Sequence, residues 1–357
     1  MKFVEIWDYT SNVESFYVKN GTAISFKTNK PYMYKHSIAT NCFLQGPVYP
    51  FLWEDSYFLN LAEYDGVPPY DSTVDLVLYV NERIGLMNEN YEKYSVNNIR
   101  KRFPNAVIVG QIKEVEPTFN SGPTILGPNE ASHRQVRPER PINRIKLFND
   151  CDFVNMPSIP NGYCSKIPYL VELQNNINKK IVYSPGPTNV DYVFENYYTN
   201  EKLNSIFAYT PHQHHRRGDT LEFAQYIGDK YNLPVYYKPL YNDRPFDYMS
   251  SHDFVSLWSP HLYHFNLDSM KTQPGQQCKQ VASVGSINIG GVNDSHQFLY
   301  PETANCDLDK LEESFVKYYE DENERFNVIQ NAWEQVNKIC GFDTVRKVFE
   351  KEFLKNE

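Results

Sequence analysis

Long apolar runs are missing from this chain of 357 residues. The longest strongly apolar stretch, Val74 to Val80, is far shorter than the roughly 20 residues a membrane-spanning helix needs. Met1 to Asp8 carries one lysine and no apolar core, so it does not read as a secretory signal. Cysteine is sparse too: Cys42, Cys151, Cys164, Cys278, Cys306 and Cys340 show no Cys-x-x-Cys spacing. That scatter gives no zinc signature and no disulfide framework, and it suits reduced thiols in a cytoplasm. Positive charge is in deficit, 35 Lys and Arg against 44 Asp and Glu, for a net charge of −9. A broad contact with a nucleic-acid backbone needs a cationic face, so the balance argues against one, although a local basic patch stays open. No Gly-x-Gly-x-x-Gly follows an early strand, which argues against an NAD-dependent oxidoreductase.

What is present describes a folded enzyme-sized chain. Hydrophobic residues make up 41% and charged residues 22%, the balance of a globular protein, and the length exceeds what one hydrophobic core usually spans. Aromatics are heavy at 15%, with 28 Tyr and 22 Phe. Tyrosine stacks on sugars and bases through its face and hydrogen-bonds through its tip, though most of these rings are expected to serve as core.

Along the chain, short apolar runs alternate with helical segments. Phe3 to Trp7, Val74 to Val80, Ala106 to Gly110 and Cys151 to Val154 read as strands, and a helix ends at Asn97 to Phe103 before Pro104. Glu116 to Pro141 is a proline-rich loop with a basic cluster of His133, Arg134, Arg137 and Arg140. Such a loop is functional or disordered. Ile181 to Pro187 is a strand running into a Pro-Gly-Pro break, the expected hinge between domains. Beyond it, strands are expected at Ser205 to Tyr209, Pro234 to Tyr237, Phe254 to Trp258 and Ser286 to Ile289, with helices at Thr220 to Tyr231 and Gln276 to Val284. Two closing helices show apolar residues at helical spacing: Leu308, Leu311, Phe315 and Tyr318, then Phe326, Ile329, Trp333 and Val336. Strand and helix in alternation is the grammar of a parallel sheet.

Open parallel sheets bind ligands at the carboxyl ends of their strands, which directs attention to two stretches of the second half. Thr210 to Asp219 places Arg216, Arg217 and Gly218 just before a helix; the pair reads as a clamp for a donor diphosphate or as a solvated basic turn. His212, His214 and His215 in the same stretch lack a carboxylate at ligand spacing, so no metal is expected. Lys271 to Gly291 carries Gly275 before a short helix, where backbone can approach a ligand, and Gln276 and Gln280, whose amides can hydrogen-bond a ribose or sugar. The alternative is an ordinary helix–turn–strand unit with a polar helix.

These segments, spanning roughly residues 180–340, resemble the C-terminal half of GT-B glycosyltransferases of the large family that includes sucrose and glycogen synthases. Arg217-Gly218 stands where that family has Lys-Gly, Pro274-Gly275 at its Gly-Phe-Gly loop, and Gln280 to Gly285 at its Glu-Ala-Met-Ala-x-Gly unit. Pro185 to Phe194 resembles the family's entry into the second domain, and Asn331-Ala332 its closing helix. The family's paired glutamates are replaced by Thr272 and Gln280, and its N-terminal glycine-rich loop has only Gly46 and Gly66 as candidates. The resemblance implies an α/β chain of two Rossmann-like domains facing each other across a cleft. The acceptor domain would cover residues 1–184 and the nucleotide-sugar domain 185–340, with a C-terminal helix at 341–357 crossing back to the first. It further implies a metal-independent transferase without cofactor, using a nucleotide sugar as co-substrate, UDP-sugar being the first choice. Arg216, Arg217, Gly218, Lys271, Gly275, Gln276 and Gln280 would hold the donor. Retention with front-face transfer follows from the resemblance; an inverting mechanism with His36, Glu114 or Asp8 as base stays open. So do a nucleotide-sugar epimerase, a phage-type DNA base glycosyltransferase and a catalytically inactive sugar- or nucleotide-binding protein.

Overall fold

A computed structural model describes residues 1–8, 13–32, 47–80, 88–112, 139–159, 173–199, 201–208, 220–237, 251–267 and 275–354. The chain divides into two compact units. The first comprises Met1–Asn161, Ser165–Pro187 and Val345–Glu357; the second comprises Gly162–Cys164 and Thr188–Thr344.

Unit 1 is built on an eight-stranded sheet of β1 (Phe3–Trp7), β2 (Phe16–Lys19), β3 (Thr22–Ser25), β4 (Tyr57–Asn60), β5 (Leu76–Val80), β6 (Val107–Gln111), β7 (Phe153–Met156) and β8 (Ile181–Tyr183), in the order β3-β2-β4-β1-β5-β6-β7-β8. From β4 to β8 every pairing is parallel. β1, β4 and β5 are buried along their whole length, as strands covered on both faces must be, and their sequences accordingly read as near-continuous apolar runs. Glu5 is the exception in β1; its carboxylate accepts a 2.8 Å hydrogen bond from the Trp7 indole. β2 and β3 form an antiparallel hairpin at the edge. Its turn is Asn20-Gly21, both in the left-handed region at φ 50° and 68°, the backbone a two-residue hairpin turn demands. Helices α1 (Asn88–Tyr91), α2 (Val96–Arg102) and α3 (Glu139–Asp150) connect the later strands. The end of the chain belongs to this unit as well: Phe349 and Phe353 are buried, with Phe349 5.2 Å from Tyr49 and 6.0 Å from Trp53 between ring centroids.

Unit 2 carries a four-stranded, all-parallel sheet ordered β10-β9-β11-β12: β9 (Leu203–Ala208), β10 (Val235–Tyr237), β11 (His261–Phe265) and β12 (Ile287–Ile289). Its helices are α4 (Val190–Tyr197), α5 (Thr220–Tyr231), α6 (Ser251–Trp258), α7 (Gln276–Ser283), α8 (Asp294–Leu299), α9 (Leu308–Glu320), α10 (Glu322–Cys340) and α11 (Phe342–Phe349), the last running from this unit into the first. Phe223 of α5, Phe265 of β11 and Phe315 of α9 meet in the core, at 5.5 and 5.9 Å.

Two expectations from the sequence are corrected. Phe254 to Trp258 belongs to helix α6, and the strand lies just beyond it at His261–Phe265. Phe254, Val255, Leu257 and Trp258 fit a helix face as well as a short strand, and periodicity alone does not separate the two in so short a run. The two histidines of the true strand disguise it, because both are buried and hydrogen-bonded. A 2.7 Å bond joins Ser205 Oγ to His261 Nδ1, and a 3.1 Å bond joins His264 Nε2 to the His261 carbonyl. In α10 the buried stripe is Ala332, Val336 and Cys340, at four-residue steps, while Phe326 is 63% exposed. The stripe is set by small residues that let α10 approach α7, not by the largest rings.

Candidate functional site

The carboxyl edge of the second sheet is held together around two residues that follow β11, Asn266 and Leu267. The Leu267 N–H donates to Thr220 Oγ1 at 3.1 Å, which fixes the start of α5 beside the end of β11. Asn266 Nδ2 donates to Gln277 Oε1 at 2.7 Å, which fixes the first turn of α7 there as well. The Asn266 N–H donates to the Ile289 carbonyl at 2.9 Å, tying in the end of β12. Two helices of twelve and eight residues therefore begin at one point on the sheet edge. The first N–H groups of a helix have no intrahelical acceptor and carry the positive end of its dipole, so the convergence is suited to an anion.

Glycines make the close approach possible. Gly275, the N-cap of α7, has φ +75°, and a Cβ there would lie 1.8 Å from Asn293 Oδ1. The backbone approach expected at Gly275 is thus an approach to Asn293, the N-cap of α8, whose Oδ1 also accepts from the His296 N–H at 3.0 Å. Gly291 has φ +91°, and a Cβ on it would lie 3.0 Å from the Asn266 carbonyl and 2.7 Å from His296 Nδ1. The chain turns away from β12 through Gly290 and Gly291, whose N–H groups donate to Thr303 and Asn305 carbonyls at 3.1 and 3.0 Å. Burial pushes the Cys278 thiol up to about 12, so it is a neutral packing group and not a nucleophile.

Of the residues expected to hold a donor, Gly275 and Gln276 start α7 at this edge, and Gln280 lies in the same helix, buried at 4% exposure. Arg216, Arg217, Gly218 and Lys271 lie outside the described residues. By sequence the first three precede α5 and the last precedes α7, the two helices that converge. Of the candidate bases, Asp8 follows β1 at the carboxyl edge of the first sheet and is fully buried, its N–H donating to the Val80 carbonyl at 3.2 Å. His36 and Glu114 lie outside the described residues. Thr220, Asn266, Gln277 and Asn293 are the edge residues that sequence reasoning did not single out. Asn293 before Asp294 was readable as a helix cap; Asn266 gave no local signal. Among the described residues, no group of three or more His, Cys, Asp or Glu stands together in a way that would hold a metal ion. Among the same residues, no helix is long and apolar enough to cross a membrane.

The Thr220 bond offers a direct check on this geometry. Thr220→Val keeps the shape and removes the acceptor, leaving the Leu267 N–H buried without a partner. A loss of about 1–3 kcal/mol in denaturant unfolding is expected. An unchanged midpoint would show that Thr220 does not tie α5 to β11.

Solved structures share this architecture. A sucrose-phosphate synthase from Thermosynechococcus elongatus aligns over 91% of this chain and 85% of its own, with a TM-score of 0.54 and 13% identity. The fold is that of the GT-B glycosyltransferases. An alpha-glucosyltransferase solved with UDP-glucose and DNA containing an abasic site aligns over 99% of both chains, with a TM-score of 0.53 and 12% identity. A UDP-forming trehalose-phosphate synthase from Burkholderia vietnamiensis aligns over 82% of this chain and 74% of its own, with a TM-score of 0.52 and 9% identity. No protein-family model matches the sequence, and no curated protein matches it.

Proposed function

We propose that the protein transfers a glycosyl group from a nucleoside-diphosphate sugar, UDP-sugar first among them, to a hydroxyl-bearing acceptor. The observation that carries this reading is the convergence of the α5 and α7 N-termini at Asn266–Leu267, on the edge of a parallel sheet in a GT-B fold. Transfer breaks the bond between the sugar's anomeric carbon and the diphosphate oxygen, and negative charge grows on the departing diphosphate. Two fixed helix N-termini offset that charge without having to reorganise, and Arg216, Arg217 and Lys271 would add cations on the segments leading into the same helices. Gln280 would hydrogen-bond the ribose as a neutral replacement for the family's glutamate. The solved neighbours described with UDP-glucose or UDP support uridine as the base to test first.

A second reading takes a DNA base as the acceptor. It is supported by the full-length alignment to the alpha-glucosyltransferase solved with DNA, and opposed by the net charge of −9.

A thermal-shift panel of UDP, GDP, ADP, CMP and dTDP with their sugars tests the donor assignment. One nucleoside diphosphate is expected to raise the melting temperature in proportion to the logarithm of its concentration, and Arg217→Ala to lose most of that shift. A panel in which none of these ligands moves the midpoint would refute the donor site.

A further inference from the structure

A second group of buried polar atoms lies in unit 1, at the carboxyl ends of β6, β7 and β8. Asn155 of β7 is fully buried, and its Nδ2 donates to Oε1 of Gln111, the last residue of β6, at 3.2 Å. That bond orients the amide and leaves Asn155 Oδ1 without a partner. One residue on, the Met156 carbonyl accepts from two backbone N–H groups, Ser158 at 2.8 Å and Ser184 at 3.0 Å. The two serines are thereby pinned to one carbonyl next to Asn155. Both are buried, at 1% and 0% exposure, and neither hydroxyl has a hydrogen-bond partner.

A buried polar group without a partner costs stability, and native proteins hold few of them. Here three gather at one end of a parallel sheet, the end at which open α/β sheets bind ligands. None of the three carries charge. An amide oxygen accepts and a serine hydroxyl both donates and accepts, so together they match neutral hydroxyl groups and offer no cation to a phosphate.

We propose that Asn155, Ser158 and Ser184 form a hydroxyl-recognising subsite for a small saccharide or polyol, the acceptor of the transfer. The identification as acceptor rests on the proposed glycosyl transfer; the subsite itself rests on the three unpaired groups. Burial makes it selective, because a ligand lacking the matching hydroxyls would leave all three groups unpaired in a medium of low dielectric.

The test uses glucose, myo-inositol and glycerol as probes on the full chain, with Ser158→Ala and Ser184→Ala beside the wild type. Without ligand, both variants are expected to melt at or above the wild-type temperature, because alanine removes an unpaired buried hydroxyl. With ligand, at least one probe should bind the wild type and bind each variant about tenfold more weakly. The shift produced by a nucleoside diphosphate should be the same in all three proteins. Variants that melt lower without ligand would show that the hydroxyls already have structural partners, such as internal water, and would overturn the subsite. So would probes that bind all three proteins alike, a wild type that no probe shifts, or a variant-sensitive shift produced by duplex DNA and by none of the probes. A variant-sensitive probe effect with no nucleotide shift in any protein would keep the subsite and refute the glycosyl transfer instead.

Discussion

Gly275→Ala is expected to destabilise unit 2 by about 2–3 kcal/mol and to weaken nucleotide binding with it. Alanine in the left-handed region costs roughly 1–2 kcal/mol, and the residue sits at φ +75°. The new methyl would lie 1.8 Å from Asn293 Oδ1, which must swing away and abandon its bond to the His296 N–H. Loss of that helix cap costs about 1 kcal/mol more. The displaced backbone is the start of α7, so the helix N-terminus offered to the diphosphate moves as well. A double-mutant cycle isolates the collision. Asn293→Ala alone should cost only the cap, and the double variant should cost clearly less than the sum of the two, because the methyl then has nothing to strike. Strict additivity would mean that the two residues do not touch.

The second large effect is loss of stability in mild acid. Burial pushes the His261 imidazole down from 6.5 to about 4, with nearby Lys202 acting in the same direction. His264, fully buried beside His261 and Lys202, is held well below the ordinary histidine value for the same reason. Both rings are neutral in the folded chain, whereas the unfolded chain protonates them near 6.5. Stability from His261 is therefore complete above pH 6.5, falls as pH drops from 6.5 to about 4, and is constant below that. The loss amounts to about 3 kcal/mol for His261 alone. Burial also lowers Lys202, to about 7, but its effect falls between 10.5 and 7 and leaves the acid window to the histidines. Urea midpoints followed from pH 6.5 down to about 4 should drop steeply in the wild type and less steeply in His261→Gln. Equal slopes in the two proteins would show that His261 does not titrate differently on folding.

The residues that made the fold readable were those whose local chemistry agrees with the tertiary structure. β1, β5 and β6 are apolar runs in a sheet buried on both faces, and α5 begins and ends at Thr220 and Tyr231 as its pattern implies. The hairpin of β2 and β3 went unread although Asn20-Gly21 carries its turn signal, because its strands alternate burial at a sheet edge and lack an apolar run. β11 was illegible because His261 and His264 look like surface residues until Ser205 and the strand's own backbone supply their partners. The site divides in the same way. A glycine before a polar helix marked Gly275, but Leu267 bonds a residue 47 positions earlier and Asn266 one 23 positions later, and no window of sequence shows that. Asn155, Ser158 and Ser184 are ordinary polar residues in sequence. Ser158 meets the Met156 carbonyl locally, and only the pairing of β7 with β8 brings Ser184 to the same carbonyl beside Asn155.

Turnover of a nucleotide sugar is the measurement closest to the proposed chemistry. The protein would be incubated with UDP-, GDP-, ADP-, CMP- and dTDP-linked sugars in the presence of glucose, myo-inositol or glycerol. Release of nucleoside phosphate and the mass of any glycosylated product would be followed together. Glycosyl transfer predicts that one donor is consumed, with its nucleoside diphosphate appearing in step with an acceptor heavier by one sugar residue. Binding of a nucleotide sugar without its consumption, under any of these conditions and with duplex DNA added as a further acceptor, would contradict transfer and leave a protein that holds the donor but does not use it.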